Sequence, residues 1–549
     1  MRLRSFVLPV LTAAALVAGA VTVAAPASAT APDPAVLGSH SVTTVEYDAG
    51  PTTVTDPSDG LSYQEELQGA LYIPSGTGPF PVLAFLHGRH DTCTYVGLVD
   101  LLGPPQTCPD NVLTQNIRSY QGYAYLANNL ASHGYLVISV SANAINTFDW
   151  VGDSGAEERA QVLARSLDKL YDWNLAAGPG AVGTKLVGKV DLSRIGIMGH
   201  SRGGEGVDHF VEYNTRRTDG RRYPGLTAVF ALAPTDFADE APHGVHYATL
   251  LPLCDGDVYD LQGARAYDRG RFVDPNETHT RAQYTVTGTN HNWFNSVWTY
   301  DDYSGSDAAC DTGNAANVRL TEQDQKDVGL TLMASFFRRW VGNETAFDGL
   351  VKGAEALPAS ACPGSATTCP TLVRTSYLAP AADRKLVVQP GGTPTATGFA
   401  TYTTCTPMTS GTGCPTNPTR NIATQLTLGW TGPATLSATV GADVSGLAAL
   451  TFRTGVNYND TRNTGAAQDL DVVVRDGSGA TATVNAAAFT ASLRKPPGGA
   501  DRELMLDGVW IPLSAFSGVD LTNVASVDLK FGTRTASGSI QLAELGFQK

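Results

Sequence analysis

Residues 195–206 read I-G-I-M-G-H-S-R-G-G-E-G, a short apolar run that delivers Ser201 between Gly199 and Gly203. The G-x-S-x-G pattern suits a serine at a sharp strand-to-helix turn, where its hydroxyl is lifted above a sheet. The two glycines remove side chains that would collide with the strand and the helix. A hydroxyl near neutral pH is a poor nucleophile and needs an adjacent base. Gln283–Thr287 reads as a strand and runs into G-T-N-H-N-W-F-N, which puts His291 in the loop that follows. The base needs an acid to hold its tautomer. Leu250–Cys254 runs into D-G-D-V-Y-D, so Asp255 is first off that strand, with Asp257 and Asp260 as rivals. Two backbone N–H groups must receive a developing oxyanion. Arg202 follows the serine. Arg89 lies in H-G-R-H after the strand Val82–Leu86, where Gly88 allows close backbone approach. The chemistry these residues suit is acyl transfer through a serine-bound intermediate.

Further residues flank the same loops. His87, Trp150, Trp293 and Phe294 are candidates to line a substrate pocket, with core packing as the equal alternative for the three aromatic residues. Arg202 and Glu205 stand three apart at a helix start and are expected to pair, the alternative being that Arg202 faces the pocket and recognises an acidic substrate group. His200 is a poor base, because neighbouring positions in a tight turn point differently, and His209 falls on the following helix. No metal site is expected. His87 with His90, and His243 with His246, have H-x-x-H spacing but lack a third ligand, and no C-x2-C occurs. No organic cofactor is implied.

These groups need a scaffold to position them. From about residue 40 to 345, strand-length apolar runs alternate with helical patterns. The runs are Ser41–Tyr47, Leu67–Ile73, Val82–Leu86, Tyr135–Val140, Arg194–Met198, Leu226–Leu232, Ala248–Cys254 and Gln283–Thr287. Helical spacing over Ala156–Ala176 brings Leu163, Leu167, Leu170 and Trp173 to one face, and Gly204–Arg217 can be a helix after the serine. Another helix begins at Thr321, with Asp324 at capping-box spacing, and runs through Trp340. This alternation predicts an α/β domain over 30–350 with a largely parallel sheet. Residues 351–370 read as a connector rich in Ala and Pro. From 371 to 549 only short strands and turns appear, among them Ala449–Thr454, Leu470–Arg475, Val509–Leu513, Ser526–Phe531 and Ser539–Phe547, which predicts an all-β sandwich.

The bulk properties exclude some partners. Arg2 and Arg4, the apolar stretch Phe6–Ala25 and Ala27-Ser28-Ala29 read as a secretory signal peptide over 1–29. Its removal takes the net charge from −15 to −17, against nucleic acid or an anionic membrane as partner. No later run is long enough to span a bilayer. Eight cysteines in a secreted chain suggest disulfides. Pairing between sequence neighbours is the simplest scheme: Cys93 with Cys108, Cys254 with Cys310, Cys362 with Cys369, and Cys405 with Cys414. A Cys254–Cys310 bridge would tie the acid loop to the histidine loop.

With H87-G88-R89, G199-H200-S201-R202-G203, D255-G256-D257-V258 and N290-H291-N292, residues 40–345 resemble the α/β-hydrolase superfamily, in its secreted bacterial lipase, cutinase and dienelactone-hydrolase-like branch. The resemblance implies a secreted Ser-His-Asp esterase acting on a lipid, a polyester or an acylated glycan. G-H-S-R-G-G also suits oligopeptidase-like relatives, so a peptidase is the alternative, and a non-catalytic binding protein is a third. The stretches V509-W510-I511-P512-L513-S514-A515-F516 and S526-V527-D528-L529-K530-F531 resemble a galactose-binding-like jelly roll, which implies a glycan- or polymer-binding surface. Neither resemblance bears on oligomeric state.

Overall fold

The computed structural model describes residues 31–549, apart from 57–59, 96–107, 109, 112–113, 148, 150–152, 219–220, 407–420 and 498–504. The signal-peptide reading of residues 1–29 lies outside the described residues. In chain order the first part comprises β1 (Val42–Thr55), β2 (Ser62–Pro74), β3 (Phe80–Leu86), β4 (Cys93–Tyr95), β5 (Thr114–Asn116), α1 (Ala124–Ser132), β6 (Leu136–Val140), α2 (Ala156–Leu175), β7 (Val190–His200), α3 (Arg202–Arg216), β8 (Leu226–Leu232), β9 (His246–Pro252), α4 (Gly263–Gly270), β10 (Arg281–Val286), α5 (Glu322–Trp340), α6 (Asp348–Lys352) and β11 (Val373–Leu378).

Nine of these strands form one mixed sheet in the order β1-β2-β6-β3-β7-β8-β9-β10-β11. The run from β6 to β10 is parallel, whereas β2 pairs antiparallel with β1 and β6, and β11 pairs antiparallel with β10. All eight apolar runs expected as strands fall on strands of this sheet. Its centre is covered on both faces. Along β3, Val82, Ala84 and Leu86 pack with Leu163 and Leu167 of α2 and Phe210 of α3. The alternate residues Leu83 and Phe85 pack with Leu126 of α1 and Leu332 and Phe336 of α5. Strand pleating sends successive side chains to opposite faces, so an unbroken apolar run marks a strand buried on both. Thr321 caps α5 by accepting from the Asp324 N–H at 3.1 Å, as the spacing predicted.

The boundary expected at 371 shifts. The first strand beyond the connector, β11, completes the large sheet, in register from Arg281–Leu378 to Val286–Val373. An antiparallel partner on the outer side of β10 satisfies backbone groups that an open edge would expose. The connector itself carries the Cys362–Cys369 disulfide.

The remaining strands form two antiparallel sheets. One holds Arg384–Val388, Thr401–Cys405, Gln425–Trp430, Ala449–Val456, Asp507–Pro512 and Gly538–Gln548. The other holds Thr395–Thr397, Ala434–Ala442, Asp471–Asp476, Thr481–Asn485 and Val524–Phe531. Both contribute to one apolar cluster, with Trp430, Phe452 and Leu542 from the first and Leu436, Val472 and Leu529 from the second. The five expected strand segments all lie in these sheets.

A buried polar seam joins the two parts. The Asp268 carboxylate at the end of α4 receives Arg453 Nη1 at 2.7 Å, Arg271 Nη1 at 3.4 Å and the N–H groups of Ile422 and Ala423. Arg271 also donates to Glu544, and Thr285 of β10 donates to Asp507 at 2.7 Å. Removing one partner of a buried ion pair leaves the other uncompensated. Asp268→Ala is therefore expected to lower the unfolding free energy by about 3–5 kcal/mol in a denaturant titration; a change within the scatter of surface substitutions would show that the seam does not hold the parts together.

Candidate functional site

At the end of β7 the chain turns through Ser201, which adopts φ 59° and ψ −127°, a strained conformation for a residue with a side chain. Strain of this kind persists only where the surroundings enforce it, and here they do. A Cβ on Gly199 would lie 1.9 Å from the Gly203 carbonyl oxygen, and one on Gly203 would lie 2.5 Å from that of Leu86. Both positions are therefore restricted to glycine. α3 starts immediately afterwards, and the Arg202 N–H, first in the helix, has no carbonyl within it to bond.

The acid and the base meet. His291 Nδ1 and Asp255 Oδ2 are 2.8 Å apart, with both side chains almost wholly buried. The other oxygen of Asp255 accepts the N–H groups of Asp257 at 3.0 Å and Val258 at 2.6 Å. With its acceptors used in this way, Asp255 is held as a hydrogen-bonded carboxylate facing the imidazole, and Nδ1 must carry a proton. Asp257 is largely exposed and stands 3.7 Å from Nε2, on the opposite side of the ring. Asp260 is engaged elsewhere, with Arg265 at 2.7 Å. Nε2 makes no hydrogen bond among the described residues. Burial disfavours charge on His291, but Asp255, Asp257 and Asp302 outweigh it and push its pKa up to about 9. Rings pack around it: His200 at 4.9 Å between centroids, and Trp298 at 6.5 Å and nearly parallel. His200, which bonds the Tyr123 hydroxyl at 3.0 Å, is pushed well below the ordinary histidine range by burial and by His291, so it stays neutral.

Asp302 was not anticipated from the sequence. Its carboxylate accepts three backbone N–H groups: Gly256 at 2.7 Å, His291 at 3.1 Å and Asn292 at 2.9 Å. One side chain thus clamps the acid loop to the histidine loop, and the Cys254–Cys310 disulfide ties the same region covalently. A Cβ on Gly256 would lie 2.3 Å from the Asp302 carbonyl oxygen, which explains the glycine between the two aspartates. Nothing in the local sequence marks Asp302, because its partners are backbone groups up to 46 residues away.

The loop after β3 lies against the serine. A Cβ on Gly88 would be 2.4 Å from Ser201 Cβ, so only glycine fits. His87, expected in the pocket, is fully buried beneath this loop instead. Its Nε2 accepts the Ala142 N–H at 2.8 Å, so Nδ1 carries the proton and donates to the Gly88 carbonyl at 2.8 Å. Burial lowers its pKa to about 3, which keeps the ring neutral. Because C=O and N–H of one trans peptide point oppositely, pinning the Gly88 oxygen turns the Arg89 N–H the other way. The side chains of Arg89 and Arg202 converge on Asp149, at 3.4 Å and 3.0 Å, and so does the fully buried Arg159 at 2.7 Å. This hub replaces the expected Arg202–Glu205 pair. Glu205 instead accepts the Thr235 hydroxyl and the Ala238 N–H, both at 2.6 Å.

Ser201, Arg89, Arg202, Asp257, Phe237 and Tyr300 are among the residues around a cleft of about 560 Å³. Besides His87, two more of the pocket candidates do not line it. Phe294 is fully buried in the core against Gly329, and Trp293 stacks under Arg319, 4.9 Å from its guanidinium carbon. Trp150 lies outside the described residues. The disulfides Cys93–Cys108, Cys254–Cys310 and Cys362–Cys369 pair as expected. Cys405 is disulfide-bonded as well, and Cys414, its expected partner, lies outside the described residues. Among the described residues no group of His, Cys, Asp and Glu has the arrangement of a metal site, and no helix is long and apolar enough to cross a membrane.

No family model matches the chain, and no curated protein matches it. The site therefore stands on its geometry. An NMR titration of the His291 imidazole is expected to give a midpoint near 9. Asp302→Asn, which removes one of the three facing carboxylates, should bring it down. A raised histidine pKa favours the folded state below the ordinary value, and that contribution is lost as pH rises through about 9. A wild-type midpoint at or below 6.5 would contradict this electrostatic account.

Proposed function

We propose that this chain is a secreted serine esterase with an α/β-hydrolase catalytic domain. The observation that carries the reading is the buried 2.8 Å Asp255–His291 pair beside a cleft that Ser201 enters from a strained strand-to-helix turn. The strand order, with the second strand antiparallel and the serine at the end of the fifth strand of the large sheet, supports the same fold. In this reading the Ser201 oxygen attacks the ester carbonyl and the neutral form of His291, populated as pH rises toward about 9, takes its proton at Nε2. Asp255 stabilises the resulting imidazolium, and the N–H groups of Arg89 and Arg202 receive the oxyanion. The alcohol leaves with the proton returned by His291. Water, activated by the same nitrogen, then releases the acid. The reading requires the Ser201 hydroxyl to come within hydrogen-bond reach of His291 Nε2, which makes no hydrogen bond among the described residues.

We read the two antiparallel sheets as a galactose-binding-like jelly roll that serves to dock the enzyme on a polymer surface. The disulfides are compatible with an extracellular location. A fluorophosphonate probe is expected to modify Ser201, and Ser201→Ala should lower turnover of a nitrophenyl ester by about 10⁴–10⁶-fold. Peptide anilides assayed in parallel separate an esterase from an amidase. A folded protein that neither labels at Ser201 nor cleaves either substrate would refute the enzyme reading and favour a binding scaffold.

A further inference from the structure

The cleft at Ser201 does not end there. A second cavity, of about 830 Å³, meets it at His90 and Tyr300, which line both. The two form one elongated groove that begins at the nucleophile and runs out along β5 and the segment before α1. Its outer part is bounded by the carboxamides of Asn111, Gln115, Asn116 and Gln121 and by Asp110 and Arg118, which pair with each other at 2.6 Å. Aliphatic side chains are scarce among the described lining residues: Val258 in the inner part, Ile117 and Val297 in the outer. At the junction stands an aromatic wall. Trp298 is buried, His90 stacks on it at 5.0 Å and 7°, and Tyr300, 59% exposed, leans on His90. The Trp298 Nε1–H is anchored to Ser119 Oγ at 2.9 Å, so the wall is fixed from behind.

Resting on the esterase reading above, we infer that this outer groove binds the alcohol half of the substrate, and that this half is an uncharged oligosaccharide carrying short acyl esters. A fatty acyl chain gains its affinity from continuous apolar walls, which carboxamides do not supply. A sugar ring offers one apolar face for the exposed Tyr300 ring and hydroxyls around its rim for groups that both donate and accept, as carboxamides do. The Gln115 carboxamide makes no hydrogen bond to the described residues, and Asn116 uses its oxygen to receive Asn143 at 3.0 Å, which leaves its NH₂ to donate. The net charge of −15 disfavours a polyanionic glycan.

The test is a series of acetylated xylo-oligosaccharides of one to four sugars. For the full chain, kcat/KM per acetyl group is expected to rise about tenfold or more between one sugar and three. Tyr300→Ala, and separately the double change Gln115→Ala with Asn116→Ala, should remove most of that rise through KM, with thermal melts confirming that the variants fold. A flat dependence on sugar number, in a protein that does hydrolyse nitrophenyl acetate, overturns this inference and leaves the esterase reading standing. So does a rate that climbs with acyl-chain length from acetate to palmitate, which assigns the groove to lipid. If nitrophenyl acetate is not hydrolysed and Ser201 takes no phosphonate, the esterase reading itself fails. Calorimetric titration of xylotetraose into the Ser201→Ala chain then decides the groove, and no binding overturns it.

Discussion

A carboxylate taken out of water must have its oxygens hydrogen-bonded or lose its charge. Asp255 meets that condition with two backbone N–H groups on one oxygen and the imidazole on the other. The local backbone is therefore dictated by the acid, since residues 255–258 must curl to bring the N–H groups of Asp257 and Val258 onto one atom. The curl also exposes the Asp257 side chain. Two aspartates that look equivalent in D-G-D are thus made different by which one the backbone wraps. The imidazole is held by the same bond, and Asp302 sets how far apart the two loops stand by accepting N–H groups from both.

Opposite this pair, backbone meets backbone without side chains between. Gly88 lies against Ser201, and Gly199 against Gly203. Contact this close positions N–H groups, because a peptide plane pinned on one side has its direction set on the other. His87 does this from below. Asp149 acts from the flank, holding the side chains of the two arginines whose backbone N–H groups are proposed to receive the oxyanion. Such groups are effective donors because they need no reorganisation when charge develops.

The large sheet and the antiparallel sheets are not independent beads on a string. β11 belongs to the first by hydrogen bonding although it follows the connector, and Asp268, Arg271, Arg453 and Glu544 form a charged seam closed to water. A seam of this kind fixes orientation through geometry, because poorly placed buried charges are costly. The sheets beyond the connector are thereby held in a set relation to the half that carries Ser201, Asp255 and His291.

Much of the scaffold and the three proposed catalytic positions could be read from the sequence, because each has a local signature. The strands are apolar runs of the right length, α5 has its cap at Thr321, and Ser201 sits in a glycine frame whose steric reason is local. His291 and Asp255 each follow directly from a strand end. Other features had no such signature. Asp149 and Asp302 act through groups far away in the chain, and no periodicity marks a residue whose partners are backbone N–H groups or arginines from three separate elements. His87 and Phe294 looked like pocket residues because they adjoin site loops, yet adjacency says nothing about direction, and packing turned both inward. The sequence by itself determined which atoms could do chemistry and at which strand ends they emerge. Only the tertiary structure decided which aspartate meets the imidazole, which glycine touches the serine and what lines the groove, because those depend on distances between segments that local pattern does not encode.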